Sequence, residues 1–231
     1  MSSSLAPYNM ANDNAIMLMF ILNMVGVSYV FLMNGESILE RVKCMFYYES
    51  KLTPFNDRTH ITKICNALLY IQTIFYATII TISHIQKQSG EIPASKALLL
   101  TGAVFLVYAC TLLLKRVLFD AVNNILFNKQ AAQEWQSHYF FTVKLLGFML
   151  SPAAIAILFV PGIPDTFIKI YLLLLSAIYA YTLFNGLKKI IFTQKGSFLD
   201  IFLYLCALEF LPTAVVWKLV LQLNEFITIK I

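Results

Sequence analysis

Long, uninterrupted apolar runs dominate the chain and predict transmembrane α-helices. A helix crosses a bilayer with about 18 or more such residues. Six runs meet this criterion, and the first three contain no charged residue. They are Asn14–Met33, Ile64–Ile85, Ala97–Leu114, Tyr139–Val160, Phe167–Leu187 and Phe198–Val220. The pattern predicts an all-α, polytopic integral membrane helix bundle with six transmembrane helices, in which residues 1–231 form a single transmembrane domain.

The segment between the first two runs predicts an amphipathic interfacial helix within a cytoplasmic loop, residues 34–63. Its first part, Ser37–Tyr48, places apolar side chains at helical spacing and charged side chains on the opposite face. The apolar residues are Ile38, Val42, Met45 and Phe46, and the charged residues are Glu40, Arg41 and Lys43. This pattern is typical of a helix that lies along the membrane surface, and docking of a partner protein is the alternative.

Composition and charge support a membrane location. The chain is 59% hydrophobic and 13% charged, whereas soluble domains are about 45–50% apolar and about 25% charged. Alternating loops place eleven lysines and arginines on one side of the membrane and five on or near the other. The positive-inside rule then puts both termini in the periplasm. The net charge of +5 therefore does not indicate nucleic acid. The expected partners are the lipid bilayer and other membrane proteins or further copies of this chain.

Recognisable catalytic motifs are missing from the sequence. It contains no phosphate-binding loop, dinucleotide fingerprint, zinc-protease motif or nucleophile elbow. The four cysteines, Cys44, Cys65, Cys110 and Cys206, are scattered without metal-ligand spacing and are expected to be packing residues. We therefore predict no catalytic, metal or cofactor-binding residues and no cofactor, and the sequence favours a protein that is not an enzyme.

Ionisable residues inside the predicted spans form the candidate intramembrane polar site: Glu209, Lys144 and Asp200. Glu209 falls near the middle of the sixth run, where a charged group is costly and usually faces protein or water. It must pair, be protonated or contact water. Lys144 is its expected partner, and Asp200 competes for the same lysine. Snorkelling to the membrane surface is the alternative for Lys144.

Two prolines and a pair of small residues suggest how the spans pack. Pro152 and Pro212 predict helix kinks, since proline removes a backbone hydrogen bond. Gly147 and Ser151 form a small-x-x-x-small face that permits close approach of another helix. We therefore expect spans four and six to pack centrally and span three to face lipid.

Two segments resemble a known family. The sequences Leu145-Leu-Gly-Phe-Met-Leu-Ser-Pro152 and Tyr204-Leu-Cys-Ala-Leu-Glu-Phe-Leu-Pro212 are similar to a bacterial membrane family, domain of unknown function 4271, which is associated with Bacteroidota. The likeness is greatest over residues 97–220. It implies a multi-span helical fold in the bacterial cytoplasmic (inner) membrane, and it assigns no functional residue.

Three functions are compatible with these features. The leading hypothesis is a non-enzymatic accessory or assembly subunit of an envelope system. The second is a small transporter or proton-coupled conduit that uses Glu209 and Lys144. The third is a membrane-embedded enzyme acting on lipid, which would gather Lys115, Arg116, Asp120 and His138 in one pocket.

Overall fold

The protein is all-helical wherever its structure is described. A computed structural model describes residues 14–46, 60–89, 94–126, 129–160, 163–193 and 209–230, and it contains six α-helices and no strand within these ranges. The helices are α1 (Asn14–Phe46), α2 (His60–Ser89), α3 (Ala94–Leu126), α4 (Lys129–Phe159), α5 (Asp165–Thr193) and α6 (Leu211–Lys230). The predicted all-α fold is confirmed.

Five of these helices are long and apolar enough to cross a membrane. The apolar stretches are Asn14–Met33, Lys63–Lys87, Lys96–Val122, Trp135–Phe159 and Asp165–Gly186, and they coincide with the first five predicted runs. A helix suits such sequences because it satisfies all of its backbone hydrogen bonds internally. The sixth run is represented by a shorter apolar stretch, Leu211–Leu223, and residues 198–208 lie outside the described ranges.

Helix α1 is longer than its apolar run. It continues without a break from Asn14 to Phe46, so the segment predicted to be a separate surface helix is helical but extends the first span. Tyr47 and Tyr48 lie outside the described residues. A helix of this length measures about 50 Å at ~1.5 Å per residue, whereas a bilayer core is about 30 Å thick. The last turns of α1 therefore extend beyond a hydrocarbon layer that encloses its apolar part.

Helices α2 and α4 form the centre of the bundle and share its most extensive helix–helix contact. Within an apolar 18-residue window of each helix, 44% of the residues of α2 and 39% of those of α4 are buried, compared with 11% for α1 and 17% for α3. Gly147 permits this contact, since a Cβ atom there would lie 2.8 Å from Thr73 Cα. The close approach predicted for Gly147 is confirmed.

The central position expected for span six stays a prediction, because residues 198–208 lie outside the described ranges. In the described residues, α6 packs mainly against α3, which itself also contacts α2 and α4. Helix α2 takes a central position because it carries uncharged polar residues that favour the protein interior. Gln72, Thr73 and Thr78 are all buried, and the two threonine hydroxyls donate to carbonyl oxygens one turn earlier in the helix.

Candidate functional site

Lys115 is a buried cation in the interior of α3. Its side chain is 10% exposed, and its Nζ lies 2.9 Å from Glu209 Oε2 and donates to Tyr139 Oη at 3.2 Å. The predicted third span ends at Leu114, just before Lys115, whereas α3 continues to Leu126 and its apolar stretch to Val122.

Glu209 and Phe210 lie in a π-helical turn immediately before α6. Such turns are rare and are frequent at functional sites. The Glu209 side chain is 15% exposed, and both of its carboxylate oxygens have partners. Oε2 accepts from Lys115 at 2.9 Å and Oε1 accepts from Tyr179 at 3.3 Å. The backbone carbonyl of Glu209 accepts a hydrogen bond from the Thr213 hydroxyl at 2.6 Å.

Two tyrosines complete what we call the Lys115–Glu209 network: Lys115, Tyr139, Tyr179 and Glu209. Tyr179 Oη lies 3.3 Å from both Glu209 Oε1 and Tyr139 Oη, and its single proton can be donated to only one of them at a time. Lys115 Nζ also lies 6.0 Å from the centroid of the Tyr139 ring, within the range of a cation–π interaction. The network joins α3, α4, α5 and the turn before α6.

Aromatic packing surrounds the network. The rings of Phe119 and Tyr139 are 4.1 Å apart, and Trp135, Tyr139 and Phe119 are each 1% exposed. On α5, a Cβ added to Gly186 would lie 2.6 Å from Trp135 Cζ3, so the glycine allows the indole to pack closely. These buried aromatic side chains exclude water and lower the local dielectric constant. The Lys115–Glu209 ion pair is therefore stronger, and breaking it costs more free energy.

The pairing predicted between Glu209 and Lys144 is wrong. Lys144 is buried in α4 and donates to Asn66 Oδ1 on α2 at 2.6 Å. Its Nζ also lies 5.2 Å from the centroid of the Tyr70 ring. Lys144 therefore stabilises the α2–α4 contact, while the counter-charge of Glu209 comes from α3. Asp200, the third residue of the predicted polar site, lies outside the described residues.

The two predicted kink positions occupy different environments. Pro152 lies inside α4, and Pro212 is buried at the junction between the π-helical turn and α6. Both kinks stay predictions. Ser151, predicted to share a small-residue face with Gly147, donates to the Phe148 carbonyl.

The polar residues suggested for a lipid-acting enzyme have different partners. Lys115 contacts Glu209 and Tyr139, whereas Asp120 is exposed and accepts a hydrogen bond from Gln136 at 2.5 Å. Arg116 is also exposed. Within the described ranges, no group of three or more histidine, cysteine, aspartate or glutamate side chains could hold a metal ion.

Three of the four network residues were not predicted to surround Glu209: Lys115, Tyr139 and Tyr179. One signal was available for Lys115, because apolar residues resume immediately after it at Val117, Leu118 and Phe119. A charge followed by more apolar residues indicates a lysine inside a longer helix rather than a span boundary. No comparable signal marked the tyrosines.

Comparisons with known proteins place the chain in a family. Neither the curated proteins nor the solved structures contain a match to it. A family model described as a domain of unknown function, DUF4271, matches residues 15–220. The match covers most of the chain and extends the resemblance seen in the sequence back to the start of α1. The chain belongs to the DUF4271 family.

Proposed function

We propose that the protein is a non-enzymatic accessory or assembly subunit of an envelope system, located in a bacterial cytoplasmic membrane. The observation that supports this proposal is that both oxygens of Glu209 have partners within the chain. An acid held in this way by α3 and α5 fixes the relative positions of the helices. Its role is then to maintain the shape of the bundle that a partner recognises.

The outer face of α1 provides a surface for lipid and for a partner. Leu18, Leu22, Val25, Tyr29 and Leu32 are exposed and recur every three or four residues, so they form one stripe along the helix. Leu32 is 84% exposed. Among the described helices, α1 packs chiefly against α2, which leaves this stripe available to a neighbouring transmembrane helix.

Site-specific photo-crosslinking in native membranes tests the proposal. A benzophenone amino acid at Leu22, on the exposed stripe, is expected to yield adducts of discrete mass with other membrane proteins. The control is the same amino acid at Val30, which is fully buried in the same helix and is expected to yield none. The same amino acid is also placed at Leu173, on the exposed face of α5. If both Leu22 and Leu173 yield lipid adducts and no protein adducts, the subunit role is contradicted.

A proton-coupled conduit is the second candidate, and the connected titratable groups of the Lys115–Glu209 network favour it. An ammonium, two phenols and a carboxylate form a chain of contacts that runs from Lys115 through Tyr139 and Tyr179 to Glu209. Each group lies 3.2–3.3 Å from the next. Intramembrane ionisable residues often mark proton pathways. In this candidate function, Lys115 takes the role that was predicted for Lys144.

Proton flux in liposomes separates the two candidates. Purified protein is reconstituted with an internal pH-sensitive dye, and a membrane potential is imposed. A conduit would show flux in the wild type and none in Glu209→Gln, with the helical content of the variant unchanged. Absence of flux in the wild type would exclude the conduit while leaving the subunit proposal intact.

A further inference from the structure

A second polar group lies buried in the middle of the bundle, separate from the Lys115–Glu209 network. Four atoms belong to it: Asn23 Oδ1, Gln72 Nε2, Gln72 Oε1 and Tyr76 Oη. Each is fully buried and has no hydrogen-bond partner among the residues that the structure describes. Gln72 is 1% exposed and Tyr76 is 0% exposed. These atoms leave a hydrogen-bonding demand that the described part of the chain does not meet.

The three residues face one another across the α1–α2 contact. Gln72 and Tyr76 are four residues apart and therefore share one face of α2. Helix α1 passes this face in the opposite direction: Gly26 lies beside Leu68, and the Phe20 ring is 6.0 Å from the Tyr76 ring. Asn23 lies between Phe20 and Gly26 in sequence and is consequently level with Gln72.

The surroundings of this group are apolar and far from the ends of the spans. Tyr76 packs in a cluster with Phe75, Ile79 and Ala154. Gln72 lies near the middle of the apolar stretch Lys63–Lys87, and Asn23 lies near the middle of Asn14–Met33. At this depth bulk water does not hydrate polar groups, and an unsatisfied amide or hydroxyl is strongly destabilising.

The chemistry of the three side chains defines the ligand. Amide and phenol groups supply both donors and acceptors. In the described ranges none of these four atoms hydrogen-bonds to an ionised side chain, so a charged ligand would lack a counter-charge at a depth where charge is costly. We propose that Asn23, Gln72 and Tyr76 form an internal binding site for a neutral, oxygen-containing group. Water or the hydroxyl or carbonyl head of a lipid-soluble molecule supplies that chemistry.

Solid-state NMR of the full chain tests for water. The protein is placed in vesicles of synthetic phosphatidylcholine with deuterated acyl chains, so that magnetisation starting on water protons is not masked by acyl-chain protons. Magnetisation that starts on water protons is expected to reach the Gln72 side-chain amide at short mixing times. The neighbouring Phe75 ring is the internal control and is expected to receive it slowly. Gln72→Leu assigns the amide signal, and Tyr76→Phe is the milder variant if Gln72→Leu does not fold.

Mass spectrometry tests for a lipid-soluble ligand. Solvent extracts of protein purified from native membranes are compared between the wild type, Tyr76→Phe and the control Thr78→Val. The Thr78 hydroxyl donates to the Ile74 carbonyl within α2. A neutral compound retained by the wild type and control, but lost from Tyr76→Phe, identifies that source. Magnetisation transfer from water to the Gln72 amide in the NMR experiment identifies water as the ligand. Finding neither would overturn the proposal.

Discussion

Neutralising one partner of the Lys115–Glu209 pair is expected to be far more harmful than neutralising both. Glu209→Gln keeps an oxygen that can accept from Tyr179, yet it leaves the Lys115 ammonium buried without a counter-charge. Lys115→Met leaves the Glu209 carboxylate with Tyr179 alone. The two side chains are only 10% and 15% exposed. Breaking such a buried pair costs about 3–5 kcal/mol in the free energy of unfolding.

The double variant removes both charges and with them most of that penalty. A buried pair replaced by neutral groups of similar volume is often as stable as the original. We therefore expect Lys115→Met/Glu209→Gln to be more stable than either single variant, with a coupling free energy of at least about 2 kcal/mol between the two sites. Reversible unfolding by dodecyl sulfate in mixed micelles, followed by circular dichroism, measures all four proteins.

The outer ion pair is the matched control. Lys87 contacts Asp165 between the end of α2 and the start of α5, and these side chains are 51% and 55% exposed. Solvent screens such a pair, so Lys87→Met and Asp165→Asn are expected to change stability little. Additive effects at Lys115 and Glu209, or single variants as mild as the control, would refute the claim that the buried pair holds the helices together.

Three further outcomes are expected. Gly147→Ala forces a Cβ atom against the Thr73 backbone and should lower the free energy of unfolding by about 1–3 kcal/mol, whereas Gly102→Ala, which meets nothing within 4 Å, should be nearly neutral in the same assay. Tyr179→Phe removes one hydrogen bond to the Glu209 carboxylate and should cost about 1.5–3 kcal/mol, and a silent result would show that this contact is not made in the membrane. Cysteines placed near each terminus should react with a membrane-impermeant reagent from the periplasmic side, and labelling of the N-terminal position from the cytoplasm alone would reverse the proposed orientation.

The helical fold could be predicted from sequence because a bilayer imposes a simple length and polarity requirement on each span. The first five runs meet it without ambiguity, and each coincides with an observed helix. The packing of the helices against one another was harder to predict, because a hydropathy profile averages over a window of residues. Gln72 and Thr78 carry no charge, so they hardly lower the mean hydropathy of the apolar run that contains them. They are nevertheless the residues that favour the burial of α2.

The ion pair could not be assigned because pairing depends on which helices are neighbours. A position inside a predicted span does not by itself distinguish Lys144 from another lysine. The contact between α3 and α6 decides the question in favour of Lys115. Because the third predicted run ends at Leu114, Lys115 falls just outside it.

The separation of the two charges along the chain has a consequence for how the protein is made. Lys115 and Glu209 are 94 residues apart in sequence, so a ribosome adding about 5–20 residues per second delivers the carboxylate roughly 5–20 s after the lysine. During that interval α3, in the membrane location that we propose, holds a cation without this counter-charge. We therefore expect the nascent chain to rely on the insertion machinery, or on a chaperone, to shelter α3 until the C-terminal helix arrives. A message truncated before Glu209 would leave a product that quality-control proteases recognise and degrade.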